Sequence, residues 1–265
     1  MPKVRLHDIS LYYEVYGNGD PLLFISGLGS DSSSWLGVVE EFSPYFQTIL
    51  FDNRGAGRSG RERKPHTIHR MADDALGLLD HLKIKRAHVI GHSMGGYIAQ
   101  DIAIHYPGRI DKLILESTGP ISSKRNNALF FEFYNKLRKK ENIEDWVRAW
   151  TFWLFSQRTL NTGSFVDNFV KKAAVYPFPV SAGGFKAQAE AIAKFDSRGR
   201  LSAIKAKTLV MEGEEDILIK SDEARGLAKH IRGSVIRIVK ASGHSIHIEK
   251  PVLFAKIAVD FLKRP

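Results

Sequence analysis

The chain has 265 residues, 43% hydrophobic and 26% charged, and it contains no cysteine. That composition is ordinary for a folded domain, suits one α/β unit carrying an insertion, and removes disulfide frameworks, thiol catalysis and cysteine-ligated zinc. The net charge of +10 is spread out, with local groups at 60–66 (GRERKPH) and 136–140 (KLRKK), and it lacks the dense basic stripe with interleaved aromatics of a nucleic-acid binder.

In chain order, 3–9 (KVRLHDI) and 11–17 (LYYEVYG) read as a hairpin, and 21–27 (PLLFISG) as a buried strand running into a Gly/Ser loop. Residues 33–42 have helical spacing behind serine caps, and 46–52 (FQTILFD) is a further strand. Over 68–82, Met71, Ala75, Leu78, Leu79 and Leu82 share one face of an amphipathic helix. A strand over 86–92, a helix over 94–107 ended by proline, and a strand over 110–117 follow. Near residue 120 the pattern changes. Residues 126–156 are helical, with large aromatics on more than one face, and no convincing strand occurs before about 196. Strands return at 206–213 and 234–241, with helices at 220–230 and 249–262. Alternating strands and helices imply a mostly parallel sheet covered on both faces. The expected organisation is a core of 1–120 and 197–265, split by a helical insertion at 121–196. No stretch approaches the roughly 20 apolar residues of a membrane span. The first residues lack the apolar run of a signal peptide, and a cytoplasmic location is expected.

The stretch HVIGHSMGGYIAQ (88–100) carries the chemistry. A buried strand meets a helix with no loop residues to spare, so Ser93 sits at the apex of a tight turn that Gly91 and Gly95 permit. Its hydroxyl then stands at the strand's C-terminal end, beside helix amides able to hold developing negative charge. This is G-x-S-x-G in a strand–turn–helix setting. Neither a G-x-G-x-x-G fingerprint nor a G-x-x-x-x-G-K-[ST] loop is present, so dinucleotide and phosphate cradles are not indicated.

A serine nucleophile needs a base, and the base needs an orienting acid. On such a fold the order is serine, acid, histidine. The stretch 210–219 (VMEGEEDILI) offers Asp216, with Glu212 at the strand end and Glu214 and Glu215 expected to face solvent in the turn. The stretch 240–251 (KASGHSIHIEKP) offers His244 in a flexible loop, with His247 as a rival expected to pack or to face solvent. His92 adjoins Ser93 too closely in sequence to serve as its base. His7, His66, His69, His81, His88, His105 and His230 read as surface residues. No H-E-x-x-H spacing occurs, so no metal is expected.

Four motifs in order resemble the α/β-hydrolase superfamily: FDNRGAGRS (51–59), GHSMGG (91–96), GEED (213–216) and SGHSIHIEKP (242–251). The resemblance runs from about Val4 to Leu262. It implies an α/β fold with a mostly parallel eight-stranded α/β-hydrolase sheet, helices on both faces and a helical lid over 121–196. It singles out Asp216 and His244 as partners of Ser93, with Glu116 as second choice for the acid. It places half of an oxyanion hole in 21–35 (PLLFISGLGSDSSSW), with the backbone amides of Leu28 and Met94 as donors. Many relatives carry His-Gly where this chain has Ser26-Gly27, so Ser26 either supplies a substitute hydrogen bond or is a small filler. Asp52 and Arg54 are expected to tie loops together rather than to meet substrate.

The resemblance implies a serine hydrolase acting on a small to medium apolar ester or lactone, with no cofactor. The insertion's aromatics, Phe130, Phe131, Phe133, Tyr134, Trp146, Trp150, Phe152, Trp153 and Phe155, are expected mainly to pack, with a remainder lining an acyl pocket. The layout is also similar to enol-lactonases and perhydrolases, and the same triad elsewhere cleaves C–C bonds. The basic charge admits a methyl esterase acting on an acyl chain held by an acidic carrier protein, with KLRKK in the docking face. A non-catalytic small-molecule receptor is the alternative of a different class.

Overall fold

The computed structural model describes residues 2–6, 8–60 and 66–264. His7 and the centre of the basic group at 60–66 lie outside the described residues. Among the described residues, eight strands form one sheet. They are β1 (Lys3–Leu6), β2 (Ile9–Tyr16), β3 (Asp20–Ile25), β4 (Phe46–Phe51), β5 (Ala87–His92), β6 (Ile110–Glu116), β7 (Lys207–Gly213) and β8 (Val235–Val239). Their order is β1-β2-β4-β3-β5-β6-β7-β8. β1 pairs with β2, and β2 with β4, antiparallel; every later pairing is parallel.

Parallel strands must be covered on both faces, and their side chains alternate between them. Leu23, Ile25, Val89, Leu113, Leu115 and Val210 belong to one buried cluster. Their neighbours Leu22, Phe24, Ile90, Ile114, Leu209 and Met211 belong to the other. Helices α2 (Ile68–His81) and α3 (Met94–His105) close the first face, with α9 (Ser221–His230). Helices α1 (Leu36–Phe42) and α11 (Pro251–Lys263) close the second. The expected helix over 249–262 is α11, which starts at Pro251 because proline has no N–H to continue a preceding helix; a separate short helix, α10 (Ile246–Glu249), precedes it.

Between β6 and β7 stand α4 (Lys124–Arg138), α5 (Ile143–Leu154), α6 (Gln157–Leu160), α7 (Gly163–Ala174) and α8 (Ala182–Lys194). Their aromatics mostly pack on one another. Phe133 meets Trp146 and Trp150 edge-on, with ring centroids 5.5 and 4.5 Å apart, and Phe155 meets Phe165 and Phe169. Phe152 is exposed. No helix among the described residues is long and apolar enough to cross a membrane.

Strand order reverses at β3 and β5. From β3 the chain steps to β4 on one side, and from β5 it steps to β6 on the other. Such a switch point opens a crevice at the C-terminal strand ends, where ligands bind in open α/β sheets. The loop after β3 and the turn after β5 flank that crevice.

Candidate active site

The turn after β5 is built as its residues require. Ser93 has φ 54° and ψ −115°, outside the ordinary regions for a residue with a side chain. Such a conformation costs about 1–3 kcal/mol and persists only when its surroundings enforce it. The enforcement is visible. Ser93 N donates to Glu116 O at 2.9 Å, and Thr118 Oγ1 donates to Ser93 O at 3.0 Å. A Cβ on Gly91 would lie 2.3 Å from the Gly95 carbonyl oxygen, and one on Gly95 would lie 2.0 Å from that of Ile25. The glycines are there because β3, β5 and α3 touch backbone to backbone.

Asp216 follows β7, and its side chain is sealed from solvent. Its Oδ1 accepts the Leu218 and Ile219 amides at 2.7 and 2.9 Å, and its Oδ2 lies 2.6 Å from His244 Nδ1. The apolar stretch after Asp216 thus anchors the carboxylate through its backbone. The His244 loop is held in turn by Glu249, whose Oε2 accepts Gly243 N at 3.0 Å and Ser242 Oγ at 3.1 Å. Glu249 also accepts the amide of Ser156, which caps α6, so the inserted helices brace the histidine loop.

The rival acids have other partners. Glu212 is fully buried, and burial, with the neighbouring Asp216 carboxyl second, pushes its carboxyl well above the usual range. Glu214 is exposed, as expected. Glu215 is half-buried rather than solvent-facing, and its Oε2 accepts the Gln157 amide at 2.8 Å. Glu116 turns to a different histidine. One oxygen, Oε1, takes both the backbone N–H of His247 at 3.0 Å and its Nδ1 at 2.9 Å. His247 therefore packs: its ring stacks on Trp35 with centroids 4.2 Å apart, and its side chain is 1% exposed.

His92 lines the elbow. Its Nε2 donates to His244 O at 3.1 Å. Burial, and then the nearby His247 and His244 rings, holds its pKa well below the ordinary value, so it is a neutral donor. His66 and His88 are buried, against the expectation that both lie at the surface.

The loop after β3 answers the question raised by Ser26. The Trp35 indole N–H donates to Ser26 Oγ at 3.0 Å, Ser26 Oγ donates to Asp31 O at 2.9 Å, and Asn53 Nδ2 donates to Ser26 O at 3.0 Å. Ser26 is a hydrogen-bonding junction, not a filler. Farther along, Gly29 N donates to Gln188 Oε1 at 2.9 Å, while Gln188 Nε2 donates to Arg54 O at 2.9 Å. Tyr176 OH reaches Asp31 Oδ2 at 2.7 Å. Residues of the inserted segment thus grip this loop from above. Among the described residues, neither Leu28 N nor Met94 N donates to a turn, loop or side-chain acceptor.

Asp52 and Arg54 both tie loops, though not to each other. Asp52 accepts from Ser32 and pairs with Arg58 at 3.0 Å. Arg54 pairs with Asp74 at 2.6 Å and with Asp8 at 3.3 Å. The Glu116–His247 contact, the Trp35–Ser26 bond and Gln188 had no sequence signal, because each joins residues that only the folded chain brings together.

Comparison with known proteins agrees with this layout. A family model for the alpha/beta hydrolase fold matches residues 20–251. RutD of Azorhizobium caulinodans, provisionally named a carbamate hydrolase, is 30% identical over 261 residues, covering 98% of both chains. A 3-oxoadipate enol-lactonase of Acinetobacter baylyi is 29% identical over 263 residues, covering 97% of this chain and 94% of its own. The crystal structure of an enol-lactonase from Burkholderia xenovorans superposes with a TM-score of 0.90 at 28% identity, covering 99% of this chain and 100% of that one. These names support hydrolase chemistry. With the switch-point crevice, the strained serine turn and a match spanning most of its length, the chain belongs to the alpha/beta-hydrolase fold family.

Proposed function

We propose that the protein is a serine hydrolase that cleaves a carboxylic ester or lactone of small to medium apolar character through an acyl-serine intermediate. The observation that carries this reading is the sealed Asp216–His244 pair, 2.6 Å apart, in a loop at the same strand ends as the strained Ser93 turn. Asp216 fixes the proton of His244 on Nδ1, which leaves Nε2 as the base. His244 takes the Ser93 proton as Oγ attacks the acyl carbon. The oxyanion that forms is held by the amides of Leu28 and Met94, each such donor being worth about 3–4 kcal/mol in the transition state. The imidazolium then gives its proton to the leaving oxygen. Water, deprotonated by the same ring, attacks the acyl-serine and releases the acid. Each step uses only this chain's groups and water.

The insertion at 121–196 serves as the lid. Its grip on the loop after β3, through Gln188 and Tyr176, couples lid position to the oxyanion donors. The partly buried aromatics Phe131, Trp150 and Trp153 supply apolar surface for an acyl group. The relatives' names bring lactones and carbamates into the substrate panel, since each has an acyl carbon bearing a heteroatom leaving group.

The test combines a fluorophosphonate label, read by intact mass and peptide mapping, with a panel of chromogenic esters, lactones and aryl carbamates. One adduct on Ser93 with multiple turnover is expected, and Ser93→Ala should remove both while leaving the circular dichroism spectrum unchanged. A Ser93→Ala protein that still turns over would end the assignment.

A further inference from the structure

Far from Ser93, α2 and α3 bring three ligating side chains together. His69 Nδ1 lies 2.7 Å from Asp101 Oδ1, and His105 Nδ1 lies 3.3 Å from the same oxygen. Their ligand atoms all fall within 4.8 Å of one another. Asp101 and His105 are one turn apart on α3, and His69 is in the first turn of α2, so rigid helices carry all three. The carboxylate forms a buried floor, its side chain 5% exposed, while the imidazoles are 51% and 36% exposed. The His69 ring is further held by a parallel stack on Tyr106, 6.2 Å between centroids, and Tyr106 OH is anchored to Asp73 Oδ1 at 3.1 Å.

We propose that His69, Asp101 and His105 form a binding site for a divalent transition-metal ion, zinc foremost, that staples α2 to α3. Two neutral imidazoles and a carboxylate are a donor set for zinc, copper, nickel or cobalt, not for magnesium or calcium, which take oxygen. Tetrahedral zinc bonds of about 2.0–2.1 Å to nitrogen and oxygen set neighbouring ligand atoms about 3.3 Å apart; the His105–Asp101 spacing of 3.3 Å matches, and the His69–Asp101 spacing of 2.7 Å, a hydrogen bond without metal, opens by about 0.6 Å. The exposed side leaves room for water as a fourth ligand. With Nδ1 of each ring on the metal, each ring proton sits on Nε2. Two features compete. Arg200 NH1 lies 3.3 Å from His105 Nε2, and it must turn away; its NH2 also bonds Asp196 O at 2.6 Å. His105 Nδ1 also lies 3.1 Å from the Asp101 carbonyl oxygen, a helix contact that metal binding replaces. The second such cluster, His92, Glu116 and His247, is wholly buried behind the serine turn, offers no route for an ion, and is already bonded internally.

The site is separate from the hydrolytic chemistry: along α3, Asp101 lies about 12 Å from Ser93. Titration of the metal-free protein with zinc chloride by calorimetry should give one ion bound per chain, with no heat from magnesium chloride. His69→Gln and His105→Gln should each weaken binding at least tenfold, and Arg200→Gln should tighten it by removing a competing cation. Saturating zinc should raise the melting temperature of the wild type by about 5 °C and that of His69→Gln by none. His69 is half-exposed, so this variant should melt like the wild type without metal and keep its ester turnover. Absence of saturable zinc binding, or binding that both histidine variants leave unchanged, would overturn the proposal.

Discussion

Two carboxylate–imidazole pairs lie side by side in this molecule. Asp216–His244 closes at 2.6 Å beyond β7, and Glu116–His247 closes at 2.9 Å at the end of β6. Both use Nδ1 and both are buried. They differ in what surrounds the ring. His244 rides on a loop, and its acid is anchored independently by two amides of the following turn. His247 is in a short helix, gives two of its own N–H groups to one oxygen of Glu116, and is pinned under Trp35. Its Nε2 has no partner and is sealed. A short acid–histidine contact therefore does not make a base. The ring's other nitrogen must face a reacting group, and a pair locked in the core only props the elements around it.

The sharpest way to break this comparison is to remove each histidine. His244→Gln should lower kcat by about 10⁴-fold or more, with KM little changed, since the base and the imidazolium charge are lost together. His247→Gln should lower kcat less than tenfold, and instead cost about 1–3 kcal/mol of stability by leaving Glu116 short of a partner in the core. The acids should follow the same division. Asp216→Asn should cost about 10⁴-fold in kcat by favouring the wrong imidazole tautomer, and Glu116→Gln should not. Denaturant melts together with steady-state kinetics separate the two sets. Equal kinetic losses from both histidines would mean that the buried pair takes part in the chemistry.

Glu212 sharpens the contrast in another way, because it lies beside Asp216, the acid of the proposed mechanism, and burial pushes its carboxyl well above the usual range. Its folded-state pKa is raised by burial above the ordinary 4.5, so above that pH the folded chain keeps a proton that the unfolded chain has released. The contribution is full below about pH 4.5 and is lost as pH rises toward the folded value, with a slope of up to about 1.4 kcal/mol per pH unit. Glu212→Gln keeps the neutral shape. It should remove that slope from stability–pH curves and leave kcat within about twofold. A large loss of kcat would mean that Glu212 ionises during turnover.

What the residues disclosed in advance follows the range of the forces involved. The turn at Ser93 was legible because its causes are local: an apolar run, two glycines and a helix in immediate succession. Strand alternation and the 121–196 insertion were legible from period and composition. Asp216 and His244 were narrowed by order along the chain, though Glu212, Glu214 and Glu215 are chemically similar and only the fold separates their roles. His247 was expected to pack or to face solvent, and the core claimed it because Glu116, 131 positions away, arrives at the neighbouring strand end. His66 and His88 are buried as well. Nothing in a single sequence says which distant carboxylate or ring will meet an imidazole once the sheet order runs β4-β3-β5-β6.

The smallest expected effect tests whether the propping pair reaches the chemistry at all. His247 stacks on Trp35, and the Trp35 indole donates to Ser26, which begins the loop carrying the Leu28 amide. Trp35→Phe keeps an aromatic ring against His247 and removes that donor, and it also leaves a small cavity in the core, where Trp35 is fully buried. A neutral hydrogen bond is worth about 0.5–1.5 kcal/mol net, so kcat should fall about two- to tenfold as the oxyanion loop loosens. KM should hold, because ground-state binding does not depend on the oxyanion donors. Ser26→Ala should give at least that loss, since it also breaks the bond to Asp31 O, and adding Trp35→Phe to it should cost little more kcat, since the link they share is already gone. Additive losses would mean that the indole and the serine support the loop separately. An unchanged kcat in both would mean that Asn53 and Gln188 hold the oxyanion donors without help from the buried pair.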